Sequence, residues 1–227
     1  WEQSERIRRI LDGLPPALRE VEIGSVMRSQ EANAGYDPLD RSLTIGTPLL
    51  VDEDGYNDLS AIMLGANPRV PLERVVYHEM IHGYQHQHPE EIAEFLHLAY
   101  AGKYRSLQAD GRLVLARNVL LGAQYELMCL YGDEPHAVDG RFDTRGMEAI
   151  LQDRPDLRNR LTSASRALTA IVQAHGLPSR YQGDAHAGGD PGQTMASGAA
   201  EYFAMVLDTA RYDPEEFLRW RRLANDE

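Results

Sequence analysis

Apolar residues recur along most of this chain at intervals of three and four, the spacing of one helical face, and alternate only in short stretches. Residues Ser4 to Leu11 carry the helical pattern, which stops at DGLPP, where Gly13 and the Pro15-Pro16 pair break it. REVEIGSVMR and RSLTIG alternate as strands do, and AGYDPLD between them has the composition of a turn. The pattern predicts a strong helix from Pro71 to Gln87, with Pro71 suited to its first turn. Pro89 ends or bends it, and PEEIAEFLHLAY begins another helix with a proline and two acids at the dipole-favoured end. Later helices are predicted at Val119 to Leu130, Asp156 to Ala174, Ala196 to Ala210 and Pro214 to Leu223, the last a capping helix on which Trp220 packs. The clearest loop is residues 180 to 193, rich in glycine, aspartate and proline. No internal repeat and no low-complexity tract interrupts this order. The expectation is a predominantly helical α+β fold with a small sheet.

Size and charge narrow the picture. A chain of 227 residues with 43% hydrophobic content can bury one good core, so a single domain is expected, with room for an inserted lobe. No stretch approaches the roughly 18 to 20 apolar residues of a membrane span, and no basic-then-apolar leader opens the chain. It reads as soluble, and its start at Trp1 without a methionine suggests a piece of a longer protein. The formal charge of −12 opposes contact with nucleic acid or anionic lipid and favours basic or neutral partners. Cys129 is the one cysteine, which excludes an internal disulfide; it is expected as a small buried apolar residue. Of the 23 basic residues only Lys103 is a lysine. A GC-rich genome accounts for part of that bias; the sharper reading is a protein that must persist in a eukaryotic cytosol, where lysines accept ubiquitin.

The chemistry concentrates in RVVYHEMIHGYQHQHPEE, residues 74 to 91, which holds four of the eight histidines. On a helix, residues four apart stand about 40° from one another, so His78 and His82 can aim both imidazoles at one ion. Glu79 is turned about 100° from His78, too far to ligate naturally but near enough to reach a water activated by that ion. This is the His-Glu-x-x-His arrangement, read as HEMIH. Zn²⁺ suits it, because imidazole nitrogens bind zinc well and three protein ligands leave a fourth position open. Glu79 would take a proton from water and deliver it to a leaving amine. Val76 and Met80 lie nearly opposite His78, so an apolar back is free to pack.

A third ligand is required, and the residues offer two. His88 lies ten positions after His78, the spacing of the metzincins, but Gln85 stands where that motif has a turning glycine, and GQTMAS around Met195 is a weak match to its methionine turn. The other candidate is Glu201 in GAAEYFAMVLDTA, where Ala199, Ala200 and Ala204 would let the helix approach the histidines closely. Here the chain resembles the gluzincins, in particular the anthrax lethal factor-like metallopeptidase domains, which pair a His-Glu-x-x-His helix with a later Glu-(Phe/Tyr)-Phe-Ala helix. HEMIH and EYFA match these two elements, and AGYDPLDRSLTIG looks like the family's turn and strand ahead of the helix.

The resemblance implies a zincin-like fold, His78, His82 and Glu201 as zinc ligands, and Glu79 as general base. It leaves 118 residues between His82 and Glu201, so an inserted helical lobe is expected at about 103 to 190. The family's second acid is replaced by Met205, and Asp208 is expected to hold His78 or His82 instead. Tyr181 is the candidate to stabilise the oxyanion, ahead of Tyr84. His86 is expected to flank the cleft, His186 to touch substrate, and His97, His136 and His175 to be ordinary. The combined expectation is a secreted or translocated bacterial toxin or effector that cleaves host protein, its expected partner being a protein or peptide substrate extended along an edge strand such as RSLTIG. The alternatives are a metzincin-like protease using His88 and a helical binding module with a vestigial metal site.

Overall fold

The computed structural model describes residues 2–29, 34–46, 56–57, 69–133, 144–177 and 191–225. Helices dominate them, beside a three-stranded sheet and a two-stranded ribbon, so the chain is a mainly helical α+β protein. Helix α1 (Glu2–Asp12) ends at Gly13, and Pro16 opens a one-turn α2 (Pro16–Arg19). From them Ile7, Leu14, Leu18 and Val21 turn inward to a first hydrophobic cluster.

The sheet comprises β1 (Ser25–Ser29), β2 (Gly35–Asp37) and β3 (Ser42–Gly46). β3 runs parallel to β1 and antiparallel to β2, so it is the central strand. RSLTIG is therefore not an edge. It pairs on both sides, and Leu43 and Ile45 are wholly buried. The stretch read as a turn, AGYDPLD, supplies β2, and the chain reverses only after it. There Asp37 and Asp40 accept from the backbone N–H of Leu39 and Ser42, and Arg41 takes a left-handed φ of 56°. A short ribbon follows, β4 (Tyr56–Asn57) against β5 (Arg69–Val70).

Helix α3 (Leu72–Gln87) begins after an extended Pro71, which sits at the cap position and not inside the first turn. Leu72, Val76, Met80 and Ile81 bury its apolar back in the first cluster. Gly83 permits the closest approach: a Cβ there would lie 2.8 Å from Val21 Cγ1 and 3.0 Å from the Tyr36 ring. α4 (Pro89–Phe95) follows, then a π-helical turn (Leu96–Tyr100) and α5 (Ala101–Gln108).

A second cluster gathers Tyr100 and residues up to Leu177 from α5, α6 (Gly111–Asp133), α7 (Thr144–Asp153) and α8 (Pro155–Ala174). α6 runs beyond Val119 to Leu130 at both ends, and its early start is fixed by Asp110, which caps it through the backbone N–H of Arg112. Among the described residues it is the helix long and apolar enough to cross a membrane, contrary to the expectation that no stretch would be. One face, Leu113, Leu120 and Leu127, is buried, whereas Cys129 is exposed and not the core residue expected. His175 is not idle. Its Nε2 meets Asp110 at 3.1 Å and its Nδ1 meets the Ser106 hydroxyl at 2.9 Å, tying the ends of α5 and α8 to the start of α6.

α9 (Pro191–Tyr212) belongs to both clusters, with Ala199 in the second and Ala204 in the first. A Cβ on Gly198 would collide with the buried hydroxyl of Tyr100. α10 (Pro214–Asn225) closes the described chain, its Trp220 indole N–H donating to Glu216.

Candidate metal centre

Helices α3 and α9 pack against each other and bring two imidazoles and one carboxylate together. His78 Nε2 lies 3.4 Å from one oxygen of Glu201, His82 Nε2 lies 3.3 Å from the other, and the two Nε2 atoms are 3.2 Å apart. The four-residue spacing on α3 sets the first pair, and a small neighbour lets α9 come close enough to supply the third group: Ala204 is fully buried in the cluster that α3 shares.

Donors at about 2.0 to 2.1 Å from one tetrahedral ion stand roughly 3.3 to 3.4 Å from each other. The two Nε2 atoms keep close to that spacing, each meets a different oxygen of the one carboxylate at 3.3 or 3.4 Å, and one ligand atom from each residue lies within 4.8 Å of the other two. The donor types, two imidazoles and a carboxylate, also fit a divalent zinc ion with a position left open. His82 is oriented as such a role needs. Its Nδ1–H donates to Gln85 Oε1 at 2.8 Å, which leaves Nε2 as the nitrogen that faces Glu201, and the Gln85 amide donates at 2.8 Å to the carbonyl of Ala200.

Electrostatics agree with close packing of the three groups. Burial raises the pKa of the Glu201 carboxyl, but hydrogen bonds from His78 and His82 outweigh it and hold the group well below the usual carboxylate range. Burial likewise lowers that of His82, and Glu201, through hydrogen bond and charge, reverses this and pushes it up to about 9. Glu79 is displaced upward, opposite to Glu201. Burial raises its pKa, against the nearby histidines and a backbone hydrogen bond from Tyr36 N–H, with Glu201 adding to the rise. That bond places β2, an outer strand, over the Glu79 carboxylate.

Other expected residues stand elsewhere. His88 ends α3 with its ring stacked on Tyr84 at 4.3 Å and takes no part in the triangle. Asp208 meets neither histidine in a hydrogen bond: it receives a bidentate contact from Arg74, 2.7 to 3.1 Å long, which anchors α9 to the first turn of α3. The rise along the helix explains the miss, since Asp208 is two turns beyond Glu201 and reaches the α3 turn before the histidines. The Tyr84 hydroxyl donates to Glu91. Tyr181, His136 and His186, and the side chain of His97, lie outside the described residues.

No protein-family model matches the chain, and no match appears among curated proteins or solved structures. The geometry therefore stands alone.

Beyond the triangle, a cavity of about 450 Å³ opens at the C-terminal end of α3 between Tyr36, Arg41, His86 and His88. His86, exposed, stacks on Tyr36 at 6.4 Å. The residue that sequence reasoning missed is Gln85. In the sequence it stands where the metzincin motif has a turning glycine, and its position three after His82 puts a carboxamide within reach of that imidazole.

Proposed function

We propose that the chain is a zinc-dependent endopeptidase of the zincin type, in which His78, His82 and Glu201 hold the ion. The observation that carries this reading is the convergence of two Nε2 atoms, 3.2 Å apart, on one carboxylate, whose oxygens lie 3.4 Å from His78 and 3.3 Å from His82. Zinc held there supplies Lewis acidity, which acidifies water and polarises the carbonyl to be cleaved. Glu79 is the general base: one residue beyond His78, it accepts the proton of the attacking water and hands it to the leaving amine. Its burial favours the protonated form, which is the state that must give the proton up. The substrate lies extended beside β2, whose Tyr36 adjoins Glu79, and not beside β3. The single lysine among 23 basic residues supports a site of action inside a eukaryotic cell, as a secreted or translocated toxin or effector.

The test is zinc content and peptide cleavage measured together on wild type, Glu79→Gln and Glu201→Ala, with an unbiased peptide pool as substrate. Wild type should bind one zinc and cleave, Glu79→Gln should bind zinc without cleaving, and Glu201→Ala should lose the ion. Zinc retained in Glu201→Ala rejects the ligand set. Equal inactivity of zinc-loaded wild type and Glu79→Gln makes the chain a metal-bearing binding module.

A further inference from the structure

Helix α6 is apolar on the side it turns to solvent as well as on the side it buries. Opposite the buried Leu113, Leu120 and Leu127, the side chains of Leu115, Leu121 and Tyr125 are 68%, 57% and 73% exposed. Val114 and Val119 widen this stripe, and Cys129 continues it. At about 100° per residue, Asn118, Gly122 and Tyr125 fall along its midline, with Val114 and Leu121 on one flank and Leu115 and Val119 on the other. No charged residue lies on the midline. Glu126, at the margin, is drawn away by Arg154 and Arg160. Apolar residues on two opposite faces call for cover on both, yet only 28% of the apolar window of this helix is buried.

We propose that this stripe is a homodimer surface, on which a second copy of the chain lays its own α6 antiparallel about a two-fold axis. Area supports it. The five large side chains offer about 500 Å² of apolar surface, at the upper end of what a monomer ordinarily leaves open. Doubled across a two-fold, that is about 1,000 Å², the threshold of a specific interface. Self-association needs only this one patch, since both copies present the same residues. Charge points the same way: on a chain of net −12 the stripe is a face where two copies meet without apposing carboxylates. Gly122 lets the two backbones approach, and the Asn118 amide carries both a donor and an acceptor for its symmetry mate. A lipid bilayer is the weaker occupant. Spanning one would strip the inward leucines of α6 from the second cluster, and the acidic surface opposes anionic headgroups.

The experiment is sedimentation velocity on the intact chain from about 1 to 100 µM, comparing wild type with the double variant Leu115→Glu/Leu121→Glu. Wild type should shift from a 25.5 kDa species to one of twice that mass, and the variant, folded by circular dichroism, should dimerise at least 100-fold more weakly. Independently of the variant, alkylation of Cys129 by N-ethylmaleimide should slow several-fold as wild-type concentration rises. The proposal is overturned if wild type stays monomeric at the highest concentration, including the case in which it floats with phosphatidylcholine vesicles, which makes α6 a membrane face. It is equally overturned by a dimer whose Cys129 alkylation ignores concentration, or by one that survives both glutamates.

Discussion

Gln85 accepts the Nδ1 proton of His82 at 2.8 Å and, with its amide group, donates to the carbonyl of Ala200 at the same distance. One buried carboxamide thereby fixes the ring of a candidate ligand and the backbone beside Glu201. Replacing it with leucine should keep the fold but weaken zinc binding about 10- to 100-fold, as loss of such a supporting partner does elsewhere. Competition against a chromophoric chelator reads this directly, and an unchanged affinity would mean that the carboxamide orients nothing.

Gly83 is the position where α3 touches both Val21 and Tyr36. Gly83→Ala therefore trades a small gain in helix propensity for a steric conflict with groups packed on two sides. A net loss of about 1 to 3 kcal/mol is expected. Urea unfolding at constant m-value measures it; a stabilised variant would show that Val21 and Tyr36 yield freely.

Asp208 is only 4% exposed, and its described hydrogen-bonding partner is Arg74. Arg74→Ala strands that carboxylate. With the arginine side chain 31% exposed, solvent screens part of the pair, and the expected loss is about 1 to 3 kcal/mol, below that of a fully buried pair. Because the contact clamps α9 to α3, zinc affinity should fall along with thermal stability. A variant less stable but unchanged toward zinc would separate the clamp from the donor triangle.

The carboxyl of Asp110 is held well below the usual range, first by the Arg112 guanidinium and then by His175. A folded pKa below the unfolded one means that the unfolded chain binds more protons in acid. The stabilisation is therefore complete above the unfolded value of about 3.9 and is lost as pH falls below it. Asp110→Asn should lower the urea midpoint at neutral pH, and its deficit should shrink as both proteins are taken toward pH 3. A deficit that stays constant across this range would show that cap geometry, not charge, is what Asp110 contributes.

Much of the helical framework was legible because periodicity and breakers coincide: Gly13 ends α1, Pro155 starts α8 and Pro214 starts α10. The hairpin was harder. Tyr36 reads as part of a turn because Gly35 and Pro38 flank it, and only the tertiary pairing with Leu43 makes it a strand. Cys129 and Asp208 failed for a similar reason. Burial of a small residue on a helix with apolar residues on both faces, and the reach of a carboxylate two turns from Glu201, depend on which face meets which neighbour, and one sequence does not encode that locally. The HEMIH pair was legible because both residues share a single helix; their approach to Glu201, with 118 residues between it and His82, required the packing of α3 on α9.

The shared helix α9 has a mechanical corollary. Ala199 is rooted in one hydrophobic mass and Ala204 in the other, and Glu201 sits on the short span between the roots. Any rocking of the two masses must swing that carboxylate against the imidazole pair, so an ion gripped by all three would act as a bolt through the joint. Damage far out in the second cluster would then silence the centre without touching a single ligand.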